Sequence, residues 1–151
     1  MQPLRFFDRL GSDLLERGLG FILLAYSGRE CLAGAVFLHW QKTLTYKYGA
    51  SRPEGLSLRP NNLIFWTAMR WACENGFSWF DFGRTDLGNA GLRRFKSGWG
   101  SEETALTYMT SLPAPDHPLL KRVTSLMEGV IRRSPRWVCR TVGELFYKHF
   151  P

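Results

Sequence analysis

The side chains best suited to chemistry lie between positions 81 and 100. Asp81 stands between two phenylalanines, and a carboxylate in such a setting is costly unless it is paired or hydrogen-bonded. Lys96 lies among bulky aromatic residues and near three glycines, which would let a backbone approach a ligand closely. A lysine ammonium there could bind a phosphate or stabilise a developing oxyanion, so this part of the chain predicts a catalytic or anion-binding site.

Each of these residues also has a purely structural interpretation. Asp81 could tie its strand to the following loop by pairing with Arg84 or Arg94. Lys96 could be a solvated lysine beside a packed phenylalanine, although its surroundings favour a functional role. Arg94 and its neighbour Arg93 most simply form a solvated face, with phosphate binding as the alternative.

The elements that must position these residues alternate between strands and helices. Apolar runs, apolar periodicity and turn residues predict a helix over 4–16, strands over 21–25, 31–40 and 44–48, and a helix that is capped by Asn61 or Asn62 and ends at Asn75-Gly76. They also predict a strand over 79–82, a glycine-bearing loop over 83–91, a short helix or loop over 92–100 and a strand over 104–110. The apolar face of the long helix is expected to contain Leu63, Trp66, Met69 or Arg70, and Cys73, with Trp66, Met69 and Cys73 in the core. Because helices interrupt the series of predicted strands, this order of elements predicts an α/β or α+β fold. Its first three strands are expected to form an antiparallel meander.

Composition limits the class of protein. The chain has 151 residues, the size of one domain, and 20 basic against 13 acidic residues give a formal net charge of +7. That surplus favours an anionic partner such as phosphate, nucleic acid or an acidic membrane face. Three widely spaced cysteines with no CxxC pair argue against a zinc site or a disulfide framework, so we expect reduced cysteines, no metal and a cytoplasmic location. The longest apolar stretches, 20–25 and 32–40, are too short to span a bilayer, and early charges interrupt any signal peptide, so neither a transmembrane nor a secreted protein is expected.

Several short motifs follow one another in a characteristic order. They are Tyr46-x-Tyr48-Gly49-Ala50-Ser51, Pro60-Asn61-Asn62-Leu63, Trp66 through Ala72-x-x-Asn75-Gly76, Phe80-Asp81-Phe82-Gly83-Arg84-Thr85 and Leu92-x-x-Phe95-Lys96-x-x-Trp99-Gly100. Together they resemble the FemAB-like branch of the GNAT acyltransferase superfamily, and in particular the FemAB-related proteins associated with exosortase and extracellular polysaccharide loci. The resemblance covers residues 46–108, with weaker support before them.

The resemblance implies a GNAT-like fold, with a mixed, mainly antiparallel sheet that splays apart to admit an acyl donor and is flanked by helices. In Fem-type transferases the donor is an aminoacyl-tRNA and the acceptor is an amine of a peptidoglycan precursor. The family's Phe-Lys pair corresponds to Phe95 and Lys96, and the resemblance implies that the lysine assists acyl transfer. Tyr46 or Tyr48 would border the acceptor cleft, although such tyrosines are more often half-buried sheet surface.

The site residues predicted from these arguments fall into two groups. The predicted catalytic residues are Lys96, which would stabilise charge, with Asp81 and Tyr48 as candidate bases. The predicted substrate-binding residues are Tyr46, Ser51, Asn62, Arg84, Thr85, Arg94, Phe95 and Trp99. Arg84 and Thr85 are included because they leave the end of a strand, where open α/β sheets usually bind ligands.

The acyl donor is constrained by the segment 49–60. GNAT enzymes that use acetyl-CoA bind its pyrophosphate on backbone N–H groups in a glycine-rich loop before a helix. Here the segment contains Arg52 and Arg59 but no close pair of glycines, and Pro53 and Pro60 each remove an N–H donor. An ordinary CoA site is therefore doubtful, no cofactor is firmly implied, and the donor is either an aminoacyl-tRNA or an acyl-CoA.

The predicted organisation is a GNAT-like domain over 1–112, expected to lack its first strand and helix, followed by a basic helical extension over 113–151. Fem proteins carry two GNAT-like halves, and this chain is long enough only for the C-terminal one, so a homodimer or pairing with another GNAT half is expected. The extension carries seven basic and three acidic residues with interspersed aromatics, which would also suit a peripheral contact at the inner membrane face.

The function expected from the sequence is transfer of an acyl or aminoacyl group onto an amine of a cell-envelope or polysaccharide precursor. The alternative is a non-catalytic GNAT remnant that acts as half of a larger transferase or as a basic module binding RNA, polysaccharide precursors or a partner chain.

Overall fold

A computed structural model of the chain describes residues 4–109. Residues 10–102 belong to one compact unit, whereas residues 4–9 and 103–109 belong to another. The helices and strands are α1 (Leu4–Leu10), continued by a π-helical turn (Gly11–Leu15), then β1 (Gly20–Ser27), β2 (Glu30–Trp40), β3 (Thr43–Ser51), a 3-10 helix (Pro53–Leu58), α2 (Pro60–Glu74), β4 (Trp79–Asp81) and α3 (Ala90–Ser97).

The four strands form one sheet in the order β1-β2-β3-β4. The first three are antiparallel and are joined by two-residue turns, in which Gly28 and Gln41 adopt positive φ angles of 58° and 52°. The fourth strand is parallel to β3 and pairs with it only from Thr43 to Thr45. Because β3 continues to Ser51 whereas β4 ends at Asp81, the two strands share only a short ladder at one end of β3.

A β-bulge in β3 decides which way its tyrosines face. Val36 pairs with Tyr48, but its neighbour Phe37 pairs with Tyr46, so Lys47 is the extra residue on β3. Cross-strand partners share a face of the sheet, whereas consecutive residues of a strand face opposite sides. Tyr46 and Tyr48 therefore lie on opposite faces, with Tyr46 on the core side beside Phe37.

Helix α2 covers the core face of the sheet. It begins at Pro60, which has no N–H to leave unpaired at the first helical position, and it ends before Gly76 at a φ of 72°. Its buried stripe packs against small residues of β2, which allow the helix to approach the sheet closely. The buried core consists of Ala25, Ala33, Ala35, Phe37, Leu44, Ile64, Ala68 and Ala72.

The mixed, mainly antiparallel sheet flanked by helices is confirmed, but several details differ from the prediction. The predicted buried face of α2 was wrong: Leu63, Trp66 and Cys73 are exposed, and Ile64 and Phe65 are buried in their place. Both stripes are apolar, so periodicity alone could not choose between them, and the stripe that packs against the alanines of the sheet is the one buried.

The bounds of other elements also differ from the prediction. The predicted strand over 104–110 is wrong as far as the structure describes it, because residues 101–109 have no regular secondary structure. Alternation of residue types provides no partner strand, and a strand needs one for its backbone hydrogen bonds. Helix α3 begins at Ala90, within the predicted loop. Thr110, the extension over 113–151 and its predicted helices lie outside the described residues, so the boundary at 112 stays a prediction.

No helix within residues 4–109 is long and apolar enough to cross a membrane.

Candidate functional site

A cavity of about 200 Å³ opens between the sheet, the start of α2 and α3. It is lined by Gly34, Ala35, Tyr46, Gly49, Ala50, Ser51, Asn61, Ile64, Phe65, Leu92, Phe95 and Lys96. The strand residues come from the middle of β2 and from the part of β3 beyond its short ladder with β4. The cavity thus lies beside the part of β3 that β4 does not pair with, where the sheet can admit a ligand.

The β3 wall is shaped by Tyr46 and Gly49. A Cβ atom built at Gly49 would overlap the Tyr46 hydroxyl and would lie 3.0 Å from two of its ring carbons. Glycine at position 49 therefore lets the phenol fold back along its own strand. Burial raises the pKa of the Tyr46 phenol above its usual value of 10.0, so this group stays protonated and can donate a hydrogen bond at neutral pH.

The start of α2 meets the end of β3 at the cavity wall. The Asn61 side-chain amide donates a hydrogen bond to the Ser51 hydroxyl at 3.4 Å. In the first turn of α2, the N–H groups of Asn62 and Leu63 donate to the Arg59 carbonyl, at 3.0 and 3.4 Å. This turn therefore has few free N–H groups with which to bind an anion.

Helix α3 places Phe95 and Lys96 at the cavity. Its N-terminus is capped by Asn89, whose side-chain oxygen accepts a hydrogen bond from the Leu92 N–H at 3.1 Å. Lys96 has 8% of its surface exposed and is the only charged residue that is buried among residues 4–109. A buried ammonium is costly unless it is well hydrogen-bonded, so its partners define what it does.

The ammonium of Lys96 is directed at the backbone after β4. It donates hydrogen bonds to the carbonyl oxygens of Phe82 at 2.8 Å, Gly83 at 2.7 Å and Arg84 at 3.4 Å. Burial lowers the pKa of Lys96 below the usual lysine value, and the negative charge of Asp81 partly opposes that shift.

Asp81 acts on the same stretch of backbone. Its Oδ1 accepts a hydrogen bond from the Gly83 N–H at 2.7 Å, although the residue itself is exposed. An Asp oxygen bonded to the N–H two residues later is a typical turn-forming arrangement. The Phe82–Arg84 turn, defined by these three residues, is therefore held by a carboxylate on one side and an ammonium on the other.

Aromatic rings connect this turn to the cavity and the core. Phe65 is central: its ring lies 5.4 Å from Phe82 in a stacked arrangement, 5.4 Å from Phe95 edge-on and 4.8 Å from Tyr46. Trp99 lies further away, with its ring 6.3 Å from that of Phe65. The cavity walls from β3, α2 and α3 thus contact each other through one ring.

The structure brings only part of the predicted site together. Tyr46, Ser51, Phe95 and Lys96 line the cavity. Asp81 accepts a hydrogen bond from Gly83 in the turn next to the cavity. The Trp99 ring lies 6.3 Å from that of Phe65, which lines the cavity. The roles proposed for these residues stay predictions.

The other predicted site residues do not line the cavity. Tyr48 lies on the opposite face of β3, and Asn62 is exposed beside Asn61, which does line it. Arg84 forms an ion pair with Asp86 at 3.9 Å. The Thr85 hydroxyl is buried with no hydrogen-bond partner among the described residues. Arg94 is exposed and does not line the cavity either. The catalytic and substrate-binding roles of these residues stay predictions.

Sequence reasoning missed much of the lining. Gly49 and Asn61 were within the quoted motifs, but nothing in their types distinguished them from their neighbours. Phe65 was missed because the wrong apolar stripe of α2 was chosen. Its position one residue before Trp66, within a continuous apolar run, was the signal that could have found it.

The cavity offers a small, mainly apolar space whose polar wall residues are Tyr46, Ser51, Asn61 and Lys96. Such a space suits a small acyl group better than a large polar one. Within the described part of the chain, no group of three or more His, Cys, Asp or Glu residues could hold a metal ion.

The chain is similar to known proteins both in sequence and in fold. The profile of a family described as an acetyltransferase (GNAT) domain matches residues 2–101. Two solved aminoglycoside 6'-N-acetyltransferases share the fold: one from Acinetobacter haemolyticus with a TM-score of 0.58 and 16% identity over 73% of this chain and 81% of its own, and one in complex with CoA with a TM-score of 0.57 and 13% identity over 74% and 89%. At these identities the likeness shows the fold alone.

Closer sequence similarity is found over a shorter region. A lipid II:glycine glycyltransferase of Staphylococcus aureus is 36% identical over 76 residues, which cover 46% of this chain and 18% of that protein. A crystal structure of FemX is 35% identical over 47% of this chain and 19% of its own, with a TM-score of 0.43. The sequence identity confirms the resemblance to the FemAB-like branch. The match spans less than a fifth of the glycyltransferase.

Proposed function

Since the chain belongs to the acetyltransferase (GNAT) domain family, we propose that it transfers an aminoacyl group onto an amine of a cell-envelope precursor. The observation that carries the proposal is the 36% identity to a protein named as a lipid II:glycine glycyltransferase. The small cavity beside the unpaired part of β3 supports it, because its size and apolar walls suit a short acyl group.

We propose an aminoacyl-tRNA as the donor rather than an acyl-CoA. A CoA pyrophosphate would need free N–H groups at the start of α2. Pro60 has none, and the N–H groups of Asn62 and Leu63 are already bonded to the Arg59 carbonyl. The net charge of +7 suits a polyanionic donor such as a charged tRNA, although it does not itself distinguish tRNA from CoA.

The reaction proposed is attack by the acceptor amine on the acyl carbon of the donor. The bond from the acyl carbon to the ribose oxygen breaks, the amine loses a proton, and the ribose oxygen gains one. The cavity would hold the acyl group, and holding two reactants in a fixed geometry is a major source of rate. Tyr46 is suited to hydrogen-bond the acyl group because its phenol lines the cavity and stays protonated.

We also propose a cellular location, a second half and an alternative acceptor for this transferase. A tRNA donor and a precursor carried at the inner membrane face would require a cytoplasmic protein, with residues 113–151 as the membrane contact. A second GNAT-like half, from another chain or from a second copy, would complete the cleft. A polysaccharide precursor is the alternative acceptor.

The test is a calorimetric titration of the protein with glycyl-tRNA, uncharged tRNA and acetyl-CoA. We expect saturable binding of glycyl-tRNA, weaker binding of uncharged tRNA and no binding of acetyl-CoA. Transfer is then followed with labelled glycyl-tRNA and lipid II as the acceptor. Binding of acetyl-CoA with transfer of its acetyl group would contradict the donor assignment. Salt-sensitive binding of both tRNAs without any transfer would favour the non-catalytic RNA-binding module.

A further inference from the structure

We propose that Lys96 is a positioning residue that acts on the cavity through the Phe82–Arg84 turn. Asp81 is its partner in holding that turn, and Phe65 and Tyr46 are the cavity walls that the turn supports. This inference rests on the proposed transfer function, and it assigns Lys96 a role other than direct contact with the acyl group.

The Lys96 ammonium uses its N–H donors on backbone carbonyl oxygens. A lysine ammonium has three N–H groups, and each has an acceptor here: the carbonyl oxygens of Phe82, Gly83 and Arg84, at 2.8, 2.7 and 3.4 Å. An ammonium that polarised an acyl carbonyl would have to give up one of these bonds. That exchange would leave a backbone carbonyl without its lysine partner, and the cost is greatest for the Phe82 carbonyl, whose hydrogen bond is buried.

Side chains from two elements, β4 and α3, hold the backbone of the same residue, Gly83. Asp81 of β4 accepts a hydrogen bond from the Gly83 N–H at 2.7 Å, and Lys96 of α3 donates one to the Gly83 carbonyl oxygen at 2.7 Å. Gly83 has a φ of 68°, a left-handed conformation that a glycine adopts without strain. The backbone of this turn is therefore held from both sides in one of the several conformations that are open to glycine.

The Phe82–Arg84 turn contacts two walls of the cavity. The Phe82 ring is buried and stacks on Phe65 at 5.4 Å, with 25° between the ring planes. A Cβ built at Gly83 would lie 3.2 Å from the Tyr46 carbonyl oxygen, so the turn also abuts β3 at its bulge. A turn released by Lys96 would free both of these cavity walls to move.

The experiment is a double-mutant cycle of Lys96→Met and Asp81→Ala in the full chain, read by amide hydrogen exchange. Methionine keeps the length and packing of the lysine stem but removes the ammonium. We expect each single change to speed exchange of the Gly83 amide, which donates to Asp81, by about tenfold or more, because a hydrogen bond to a charged group that holds the turn is lost. The β1 and β2 amides should stay protected. The double variant should be little faster than either single one, since both changes release the same turn.

Asp81→Asn is the matched control. The asparagine keeps the Oδ1 acceptor for the Gly83 N–H, so exchange in the turn should stay close to that of the unaltered protein. Unchanged exchange of the turn in Lys96→Met would overturn the proposal. If that variant loses protection in β1 and β2 because it does not fold, Lys96→Leu, a second replacement that removes the ammonium, takes its place, and unchanged exchange of the Gly83 amide in it would overturn the proposal. Equal exchange in Asp81→Ala and Asp81→Asn would remove Asp81 from the proposal.

Transfer kinetics supply the second measurement. A positioning role predicts that Asp81→Ala lowers kcat/KM in the same direction as Lys96→Met, that the two effects are not additive and that the pH profile keeps its position. Direct contact with the acyl group predicts a fall in kcat for Lys96→Met alone, with no effect of Asp81→Ala, and would overturn the proposal. An absence of transfer in the unaltered protein would refute the proposed function, while the exchange measurement would still decide the role of Lys96.

Discussion

The Tyr46 hydroxyl occupies the space that the Cβ of any other residue at Gly49 would fill. The bulge at Lys47 turns Tyr46 toward the core, and the glycine then lets its ring lie along the strand. Gly49→Ala should therefore push the phenol out of place. We expect a loss of about 1–3 kcal/mol in the free energy of unfolding, as for other overpacked sites, together with weaker binding of the acyl donor. Urea unfolding and calorimetry measure the two effects.

A matched control for that change is Gly91→Ala in α3. A Cβ there would meet only the Asn89 side-chain oxygen, at 3.9 Å. Because alanine favours a helix over glycine, this variant should be unchanged or more stable by up to about 1 kcal/mol. A Gly49→Ala protein that is as stable as the Gly91→Ala protein would show that Tyr46 does not depend on the glycine.

The Tyr46 phenol should make stability depend on alkaline pH. Its pKa is raised by burial, so its contribution to stability is fully present below the ordinary value of 10.0 and is lost as the pH rises through the raised value. Tyr46→Phe lacks the ionisable group and should lose less stability over that range. Urea unfolding at a series of alkaline pH values measures this, and an identical decline in both proteins would contradict the burial of the phenol.

Much of this architecture could be predicted from the sequence. The first two strands follow from short apolar runs and the third from alternation, with turn residues between them. Helix α2 follows from its apolar periodicity and its Asn75-Gly76 end, although it begins at Pro60 and not after the predicted cap at Asn61 or Asn62. These signals are local, because each depends on residues within one element. The Phe95-Lys96 pair was also found by sequence, and it lies at the cavity.

What could not be predicted depends on contacts between distant residues. The bulge at Lys47 leaves no mark on the alternation of β3, yet it places Tyr46 and Tyr48 on opposite faces. The three carbonyl acceptors of Lys96 lie 12 to 14 residues before it in the chain. Residue types could indicate that Lys96 is functional, but only the fold shows which atoms its ammonium contacts.

The cap of α3 should matter for the position of Phe95 and Lys96. The Asn89 side chain accepts the Leu92 N–H at the start of a helix of eight residues. Asn89→Ala should lower the free energy of unfolding by about 1 kcal/mol, as the loss of an N-cap usually does. Asn89→Asp keeps the acceptor and should retain most of the stability. Equal losses in both variants, measured by thermal unfolding, would show that the cap is not the cause.

Arg59 separates stability from function at the start of α2. It has a left-handed conformation, with φ of 51° and ψ of 47°, which costs a residue with a side chain roughly 1–2 kcal/mol relative to the right-handed form. Arg59→Gly should relieve that strain, and part of the gain is offset by the greater freedom of glycine in the unfolded chain, so we expect up to about 1 kcal/mol of added stability. If the exposed guanidinium binds a phosphate of the donor, the same variant should bind glycyl-tRNA more weakly. Arg52→Ala is the control. Arg52 has an extended backbone, so this change removes one arginine without relieving backbone strain. A gain in stability with unchanged tRNA affinity would exclude Arg59 from the donor site, whereas a loss of stability would show that contacts of the arginine outweigh its backbone strain.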